Sequence, residues 1–330
     1  MTHRMFVVVG ITFATLLLCA PRTQAAAAAP DRLIGLHSAQ VLSQSMPWIA
    51  QEAGIFKKYD LDFRLVFISS SPVATAATLS GDAEIGVTGA IGNVRAFVQG
   101  STDLVFIAGM KNILTHNLLA KPDVKRPEDL KGKKVGVGRF GGNTHYFVIQ
   151  ALKRFGMDAT KDIQMIQTGG GPETVASLLG GNVEAAAIVA PGDFVAASKG
   201  YRYVINGAEL RIPYGATGVV TLRSLIAKRG PVIGRFIRSM AEASKILHSD
   251  KAFVYKVIGK YMRITDTKVL DASYQSEVPA MEQRLEIHDA ALQASLDEIA
   301  PLDARAKAIK PAEMIDRRYL VELEKSGVFK

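Results

Sequence analysis

Small hydroxyl, amide and glycine residues gather in six short clusters along this chain, each just after an apolar run. The first half offers His37-Ser38 with Gln40, then Ser69-Ser70-Ser71, then Thr88-Gly89. The second half offers Arg139 with Gly141-Gly142-Asn143-Thr144-His145, then Gly169-Gly170-Gly171, then Pro191-Gly192-Asp193. Such residues donate hydrogen bonds from short side chains and bare backbone. Several clusters run straight into helix-forming stretches, whose first turns carry unpaired N–H groups and the positive end of the dipole. The chemistry this suits is noncovalent capture of a small anion. Bond-making sets are missing. Arg139-Phe140-Gly141-Gly142-Asn143 is not followed by the Gly-Lys-Ser/Thr of a phosphate loop, and Gly136-x-Gly138 is too short for a dinucleotide fingerprint. There is no Gly-x-Ser-x-Gly elbow. His37, His116 and His145 lack metal-pair spacing, so no metal is expected. Asp82 and Glu84 look like paired carboxylates, but they stand where a helix turns into a strand and read as a solvated turn. Ser71 and Thr144 also read as helix caps, and the Gly169–Gly171 run as a tight turn.

The elements that must position these clusters alternate. Leu33-Ile34-Gly35-Leu36 reads as a buried strand, and Pro47 opens a helix through Trp48, Ile49 and Ala53 that stops at Gly54. Leu61, Phe63, Leu65 and Phe67 alternate as in a half-buried strand. Ser71-Pro72 starts a helix closed by Gly81-Asp82, and Ile85-Gly86-Val87 is the next strand. The order then recurs: strand Lys134–Val137, helix His145–Phe155, strand Ile163–Ile166, loop Thr168–Pro172. The recurrence is gapless at an offset of 100. Between 72–100 and 172–200, nine of 29 positions are identical: Pro72, Ala76, Leu79, Gly81, Glu84, Ala90, Gly92, Ala96 and Gly100 each meet their own type. Average residue usage would give roughly two. Two copies of alternating strands and helices predict two similar α/β lobes with mostly parallel sheets. Ligands on such sheets bind beyond the carboxyl ends of the strands, where the six clusters fall. Residues after Thr221 read mainly as helices, one opened by Pro231 and a last one over Met314–Lys325. They are expected to pack back on the first lobe.

Composition sets the class. The 330 residues are 48% hydrophobic and 22% charged, which suits about two folded domains of ~150 residues each. Thr2-His3-Arg4, the apolar run Met5–Ala20 and the small-residue run Ala25–Ala29 form a secretory leader over residues 1–27. Cleavage near Ala25–Ala27 removes Cys19, Arg4 and Arg22. That leaves no cysteine and a net charge of 38 − 31 = +7, down from 40 − 31 = +9. A thiol enzyme is thereby excluded. No Lys/Arg stripe with interleaved aromatics appears, so no nucleic-acid partner is expected.

Four motifs in order carry a family resemblance. Pro47–Asp62 (Pro47-Trp48-Ile49-Ala50-Gln51-Glu52-Ala53-Gly54-Ile55-Phe56-Lys57-Lys58-Tyr59-Asp60-Leu61-Asp62) and Gly81-Asp82-Ala83-Glu84-Ile85-Gly86-Val87 are two of them. Glu128-Asp129-Leu130-Lys131-Gly132-Lys133-Lys134-Val135-Gly136-Val137 and Tyr319–Val328 are the others. Together they resemble the exported solute-binding proteins of nitrate/sulfonate/taurine-type ABC importers (SsuA/THI5-like, NMT1-type), over nearly all of the mature chain. The resemblance implies a type II periplasmic binding protein: two α/β lobes joined by two crossover strands, with a helical C-terminal tail. Lobe 1 is then 28–117 plus 218–330 and lobe 2 is 118–217, with crossings near Leu114–Ala120 and Gly215–Leu222. It implies ligand contacts at Ser38, Ser70, Ser71, Thr88, Gly89, Asn143, Thr144 and Asp193, with Gln40, Gly142 and His145 in the same loops. Arg139 is the natural partner of a sulfonate or carboxylate, and Asn117 and Tyr214 lie near the crossovers. Asp193 opposite Arg139 would suit a zwitterion.

The expected function is high-affinity capture of a small anionic or zwitterionic organic solute (sulfonate, taurine, nitrate or carboxylate class) in the periplasm. The solute would then pass to an ABC permease at the membrane. The expected protein is a monomer with no cofactor and no catalysis. The alternatives are an exported enzyme on the same fold, a sensor serving a membrane receptor, and a thiamine-precursor pyrimidine as ligand. Eukaryotic relatives that make that pyrimidine carry a cysteine-rich motif, which the mature chain lacks.

Overall fold

The computed structural model describes residues 1, 2 and 29–329. The expected leader lies almost wholly outside that range. Two five-stranded sheets form the frame. The chain runs β1 (Asp31–His37), β2 (Leu61–Phe67), β3 (Ile85–Thr88), β4 (Leu104–Ile113) and β5 (Asn117–Ala120), then β6 (Lys134–Val137), β7 (Gln164–Gln167), β8 (Ala185–Ile188), β9 (Arg202–Asn206) and β10 (Pro213–Leu222). The first sheet has the order β2-β1-β3-β10-β4, the second β7-β6-β8-β5-β9. In each, the first three strands are parallel and the fourth is antiparallel to its neighbours. Each lobe receives its fourth strand from a chain that has just left the other lobe.

The sequence offset survives in the register. Ile34 pairs with Arg64 and Lys134 with Gln164, while Leu36 pairs with Gly86 and Gly136 with Ala186. Glu84 and Glu184 repeat the same clamp: the carboxylate of each accepts from a strand N–H, Ile34 at 3.0 Å and Lys134 at 2.8 Å. This corrects the solvated-turn reading of Glu84, which also pairs with Arg229. The clamp ties the helix-to-strand turn to the neighbouring strand.

Apolar periodicity explains the packing. Phe56, Phe63 and Phe236 meet at centroid distances of 4.6 and 5.0 Å, joining the first helices and β2 to the tail. On β2 the alternation fades: Leu61 and Phe63 are buried but Phe67 is 45% exposed, because β2 is an edge strand. The Arg223–Ser249 helix is broken at Arg229 (φ −133°), so Pro231 opens its second segment as expected. The second lobe's first long helix begins at Asn143, two residues ahead of the expected start. The crossings lie at 114–116 and 207–212. The second precedes the expected stretch, and Pro213–Thr217 pair in the first sheet rather than in lobe 2. The tail reaches both lobes. From the Asp289–Ile299 helix, Ala294 O accepts from Tyr146 Oη at 3.4 Å, and Glu298 accepts from Gln150 at 3.0 Å. Among the described residues, no helix is long and apolar enough to cross a membrane.

Candidate functional site

A cleft of about 460 Å³ opens between the lobes, at the carboxyl ends of the parallel strands. From the first lobe it is lined by Ser38 and Gln40 after β1, and by Ser69, Ser70 and Ser71 after β2. From the second it is lined by Arg139, Gly142, Asn143 and Thr144 after β6, and by Gly169, Gly170 and Gly171 after β7. The helices Ser71–Ser80, Asn143–Arg154 and Gly171–Leu179 start at this cleft. Their first-turn N–H groups and dipoles favour an anion there.

Side chains hold these loops in place. Gln44 Oε1 accepts from Ser38 N at 2.8 Å and Ala39 N at 2.9 Å, while its Nε2 donates to Ser38 Oγ at 3.1 Å. Thr144 Oγ1 accepts from Gly138 N at 2.8 Å. Asn143 reaches across to the first sheet: its Nδ2 donates to Ala216 O at 2.9 Å, and its Oδ1 accepts from Tyr214 Oη at 3.3 Å. Ser70 has φ +85°, a region a serine occupies only at a cost of about 1–3 kcal/mol, and its Oγ is buried without a partner.

Six expected contacts do not line the cleft. Asp193 is 1% exposed and accepts from Asn117 Nδ2 and Phe194 N, both at 2.8 Å, and from Tyr203 Oη at 3.4 Å. Burial pushes its carboxyl up to about 6. It therefore packs behind the cleft and does not oppose Arg139. Asn117 spends its amide on Asp193 and on Gly207 N, binding the second crossing. Tyr214 is wholly enclosed, stacked on Tyr146 at 4.4 Å. Gly89 lies under Asn143 and Ser71, where a Cβ would meet Asn143 Oδ1 at 2.3 Å. Thr88 is fully buried, with an unpartnered Oγ1. His145 turns its Nδ1 to Gly141 N at 3.3 Å and its ring edge to Phe140.

The structure adds residues that the sequence reading missed. Lys111, His116 and Thr217 line the cleft, as do Met262, Arg263 and Ile264 at the end of the Lys251–Met262 helix. Lys111 is 2% exposed; its Nζ donates to Glu277 at 2.6 Å and to Thr115 at 2.8 Å. His116 is 6% exposed, stacks on Phe147 at 5.7 Å and has a buried Nδ1 with no partner among the described residues. Burial first, and the Lys111 charge second, push its imidazole down to about 3, so it is neutral near pH 7. One signal for Lys111 was available: a lysine inside the apolar run Leu104–Ile113 must have a buried partner. Among the described residues, no group of three metal-ligating side chains occurs. The cleft wall carries Lys111, Arg139 and Arg263 and, among the described residues, no Asp or Glu. Lys111 is neutralised from behind by Glu277, whereas Arg139 and Arg263 have no ion-pair partner among the described residues. Val41, Val175, Ile188, Val189, Val195 and Met262 supply an apolar side.

The family model described as NMT1/THI5 like matches residues 45–251. A taurine-binding periplasmic protein of Escherichia coli (strain K12) is 29% identical over 204 residues, covering 60% of this chain. The match spans only 61% of that relative's length. The alkanesulfonate-binding protein SsuA from Xanthomonas axonopodis pv. citri, bound to MOPS, superposes with a TM-score of 0.74 at 20% identity, covering 88% of this chain and 100% of that one. The desulfurization enzyme DSZB shares the fold too, with a TM-score of 0.67 at 12% identity, over 90% of this chain and 99% of that one. The fold thus hosts both a binding protein and an enzyme.

Proposed function

We propose that this chain, which belongs to the NMT1/THI5-like family, is an extracytoplasmic solute-binding protein. It captures a small organic anion and hands it to an ABC import permease at the membrane. The observation that carries the reading is the cleft wall: three cations and three helix N-termini, with no Asp or Glu among the described lining residues and the Glu173 carboxylate standing beside Gly170 at the edge. Opposite charge in a low-dielectric cleft favours an anion and penalises an amine. The volume of about 460 Å³ and the apolar side fit an organic body better than a bare nitrate. Ligand lies between two lobes joined by two short crossings, so closure would seal it in. Export to the periplasm is supported by the leader pattern and by the periplasmic relative.

The second reading is an enzyme, favoured by the shared fold of DSZB. One experiment separates the two. The purified mature protein is melted against nitrate, alkanesulfonates, taurine, aliphatic and aromatic carboxylates and pyrimidines, and each ligand is recovered afterwards. At 100 times its dissociation constant a ligand adds about 2.7 kcal/mol, a shift of several degrees for a chain this size. The expected result is a shift with organic anions, recovered unchanged. A shift confined to pyrimidines or amines contradicts the anion reading, and conversion of a ligand to product contradicts the carrier role.

A further inference from the structure

The arginines are the obvious place to seat an anionic head, but both are exposed, whereas the polar groups left without partners lie deeper. Three buried groups line the same cleft. Lys111 Nζ has three N–H donors, and two are used, on Glu277 and Thr115. His116 Nδ1 and Ser70 Oγ are enclosed with no partner among the described residues. Buried polar groups are nearly always hydrogen-bonded, so orphans on residues that line one cleft mark where a ligand completes the set. We propose that the acidic head of the ligand sits at the floor of the cleft, held by Lys111 Nζ, the imidazole of His116 and Ser70 Oγ, with Arg139 and Arg263 attracting it from the rim. The proposal rests on the organic-anion reading above and names its specificity-determining groups.

The chemistry at the floor is consistent. A neutral imidazole has one N–H to give to an oxygen and adds no charge of its own. Glu277 and Thr115 hold the lysine, so the ligand meets an ammonium already fixed in direction. Glu277 does not line the cleft, so an ammonium on the ligand finds no carboxylate at the floor and meets Lys111 instead. Selection therefore runs against compact zwitterions such as taurine, whose two charges are close together, and towards amine-free acids with an apolar body. Thr115 and His116 lie in the first crossing at 114–116 and Lys111 just before it, so the head would touch a segment that joins the lobes.

The test is titration calorimetry of the full mature protein with benzenesulfonate and benzoate, run in parallel with taurine. Wild type is expected to bind at least one of the aromatic acids at least tenfold more tightly than taurine. His116→Phe and Ser70→Ala are each expected to weaken that acid at least tenfold. Arg139→Ala is expected to cost less, mainly through slower association at low salt. Ser70→Ala keeps the test valid if His116→Phe does not fold, and Lys111→Met with Glu277→Gln removes the ammonium without stranding a buried carboxylate. Wild-type affinity in both His116→Phe and Ser70→Ala overturns the proposal, as does a larger loss in Arg139→Ala than in either. Taurine binding as tight as the aromatic acids also overturns it. Binding of neither acid by wild type overturns this inference, whereas the organic-anion reading falls only if the alkanesulfonates and aliphatic carboxylates of the wider panel also fail to bind.

Discussion

In the first lobe the loop after β1 is pinned by Gln44, which accepts from Ser38 N at 2.8 Å. In the second the loop after β6 is pinned by Thr144, which accepts from Gly138 N at 2.8 Å. The two bonds occupy equivalent places in the repeat, made by different residue types. Glu84 and Glu184 form the same clamp twice. Asn93 and Asp193 are another equivalent pair, each 1% exposed and each bonded inward. What faces the cleft differs between lobes. The first lobe lines it with Ser69, Ser70 and Ser71, the second with Gly169, Gly170 and Gly171. One lobe offers hydroxyls on side chains; the other brings bare backbone up to the ligand. The repeat thus dictates the positions that hold the frame, and the chemistry of the cleft is free to diverge around them.

The sharpest way to break this picture is at the joint between the lobes. A Cβ on Gly207 would meet the backbone carbonyl oxygen of His116 at 1.8 Å, whereas one on Gly171 has nothing within 4 Å. Gly207→Ala is expected to cost about 3 kcal/mol or more in urea unfolding, and Gly171→Ala less than about 0.5 kcal/mol. Equal costs would refute the packed joint.

Next in size is a pair of opposed pH effects. His116 titrates at about 3 when folded and must charge on unfolding, so its contribution is lost as pH falls below the ordinary histidine value. Asp193 titrates at about 6 when folded, above the ordinary carboxylate value, so its contribution is lost as pH rises between about 4 and about 6. Each is worth about 1.4 kcal/mol per pH unit within its window, with opposite sign, and the two nearly cancel in wild type between about pH 4 and pH 6. Removing one uncovers the other. His116→Phe should lose stability as pH rises from 4 to 6, and Asp193→Asn should gain it. Parallel slopes in wild type and both variants would sink the assignment. Asp193→Asn should also leave affinity for benzenesulfonate within twofold, since Asp193 lies behind the cleft.

The smallest effect sharpens the comparison within the frame. Glu84 carries its clamp and an ion pair with Arg229, while Glu184 carries the clamp alone among the described residues. Glu84→Ala is expected to cost about 2 kcal/mol and Glu184→Ala about 1 kcal/mol. Equal costs would mean that Arg229 adds nothing.

The frame was legible because local patterns specify it. Pro47, Gly54, Gly81 and Pro231 punctuate helices where backbone geometry demands it, and the offset of 100 reappears in the strand register. The cleft was legible only where a loop's place at a strand end is enough, as for Ser38, Ser70, Ser71, Arg139, Asn143 and Thr144. Asp193 was misplaced because a polar residue at a strand end can face inward. Its equivalence to Asn93 carried the warning, since both sit in the first turn of the same repeated helix. Lys111 and His116 were missed because they join the cleft through the crossing of the lobes. That is a tertiary fact, and spacing along the chain does not encode it.

The proposed occupant of the cleft between the lobes is an organic anion. The most direct test is calorimetry of the mature protein with benzoate and with benzylamine, which match in size and differ in charge. Benzoate is expected to bind, more weakly as salt rises, and benzylamine is expected not to. Benzylamine binding as tightly as benzoate, or more tightly, would contradict it.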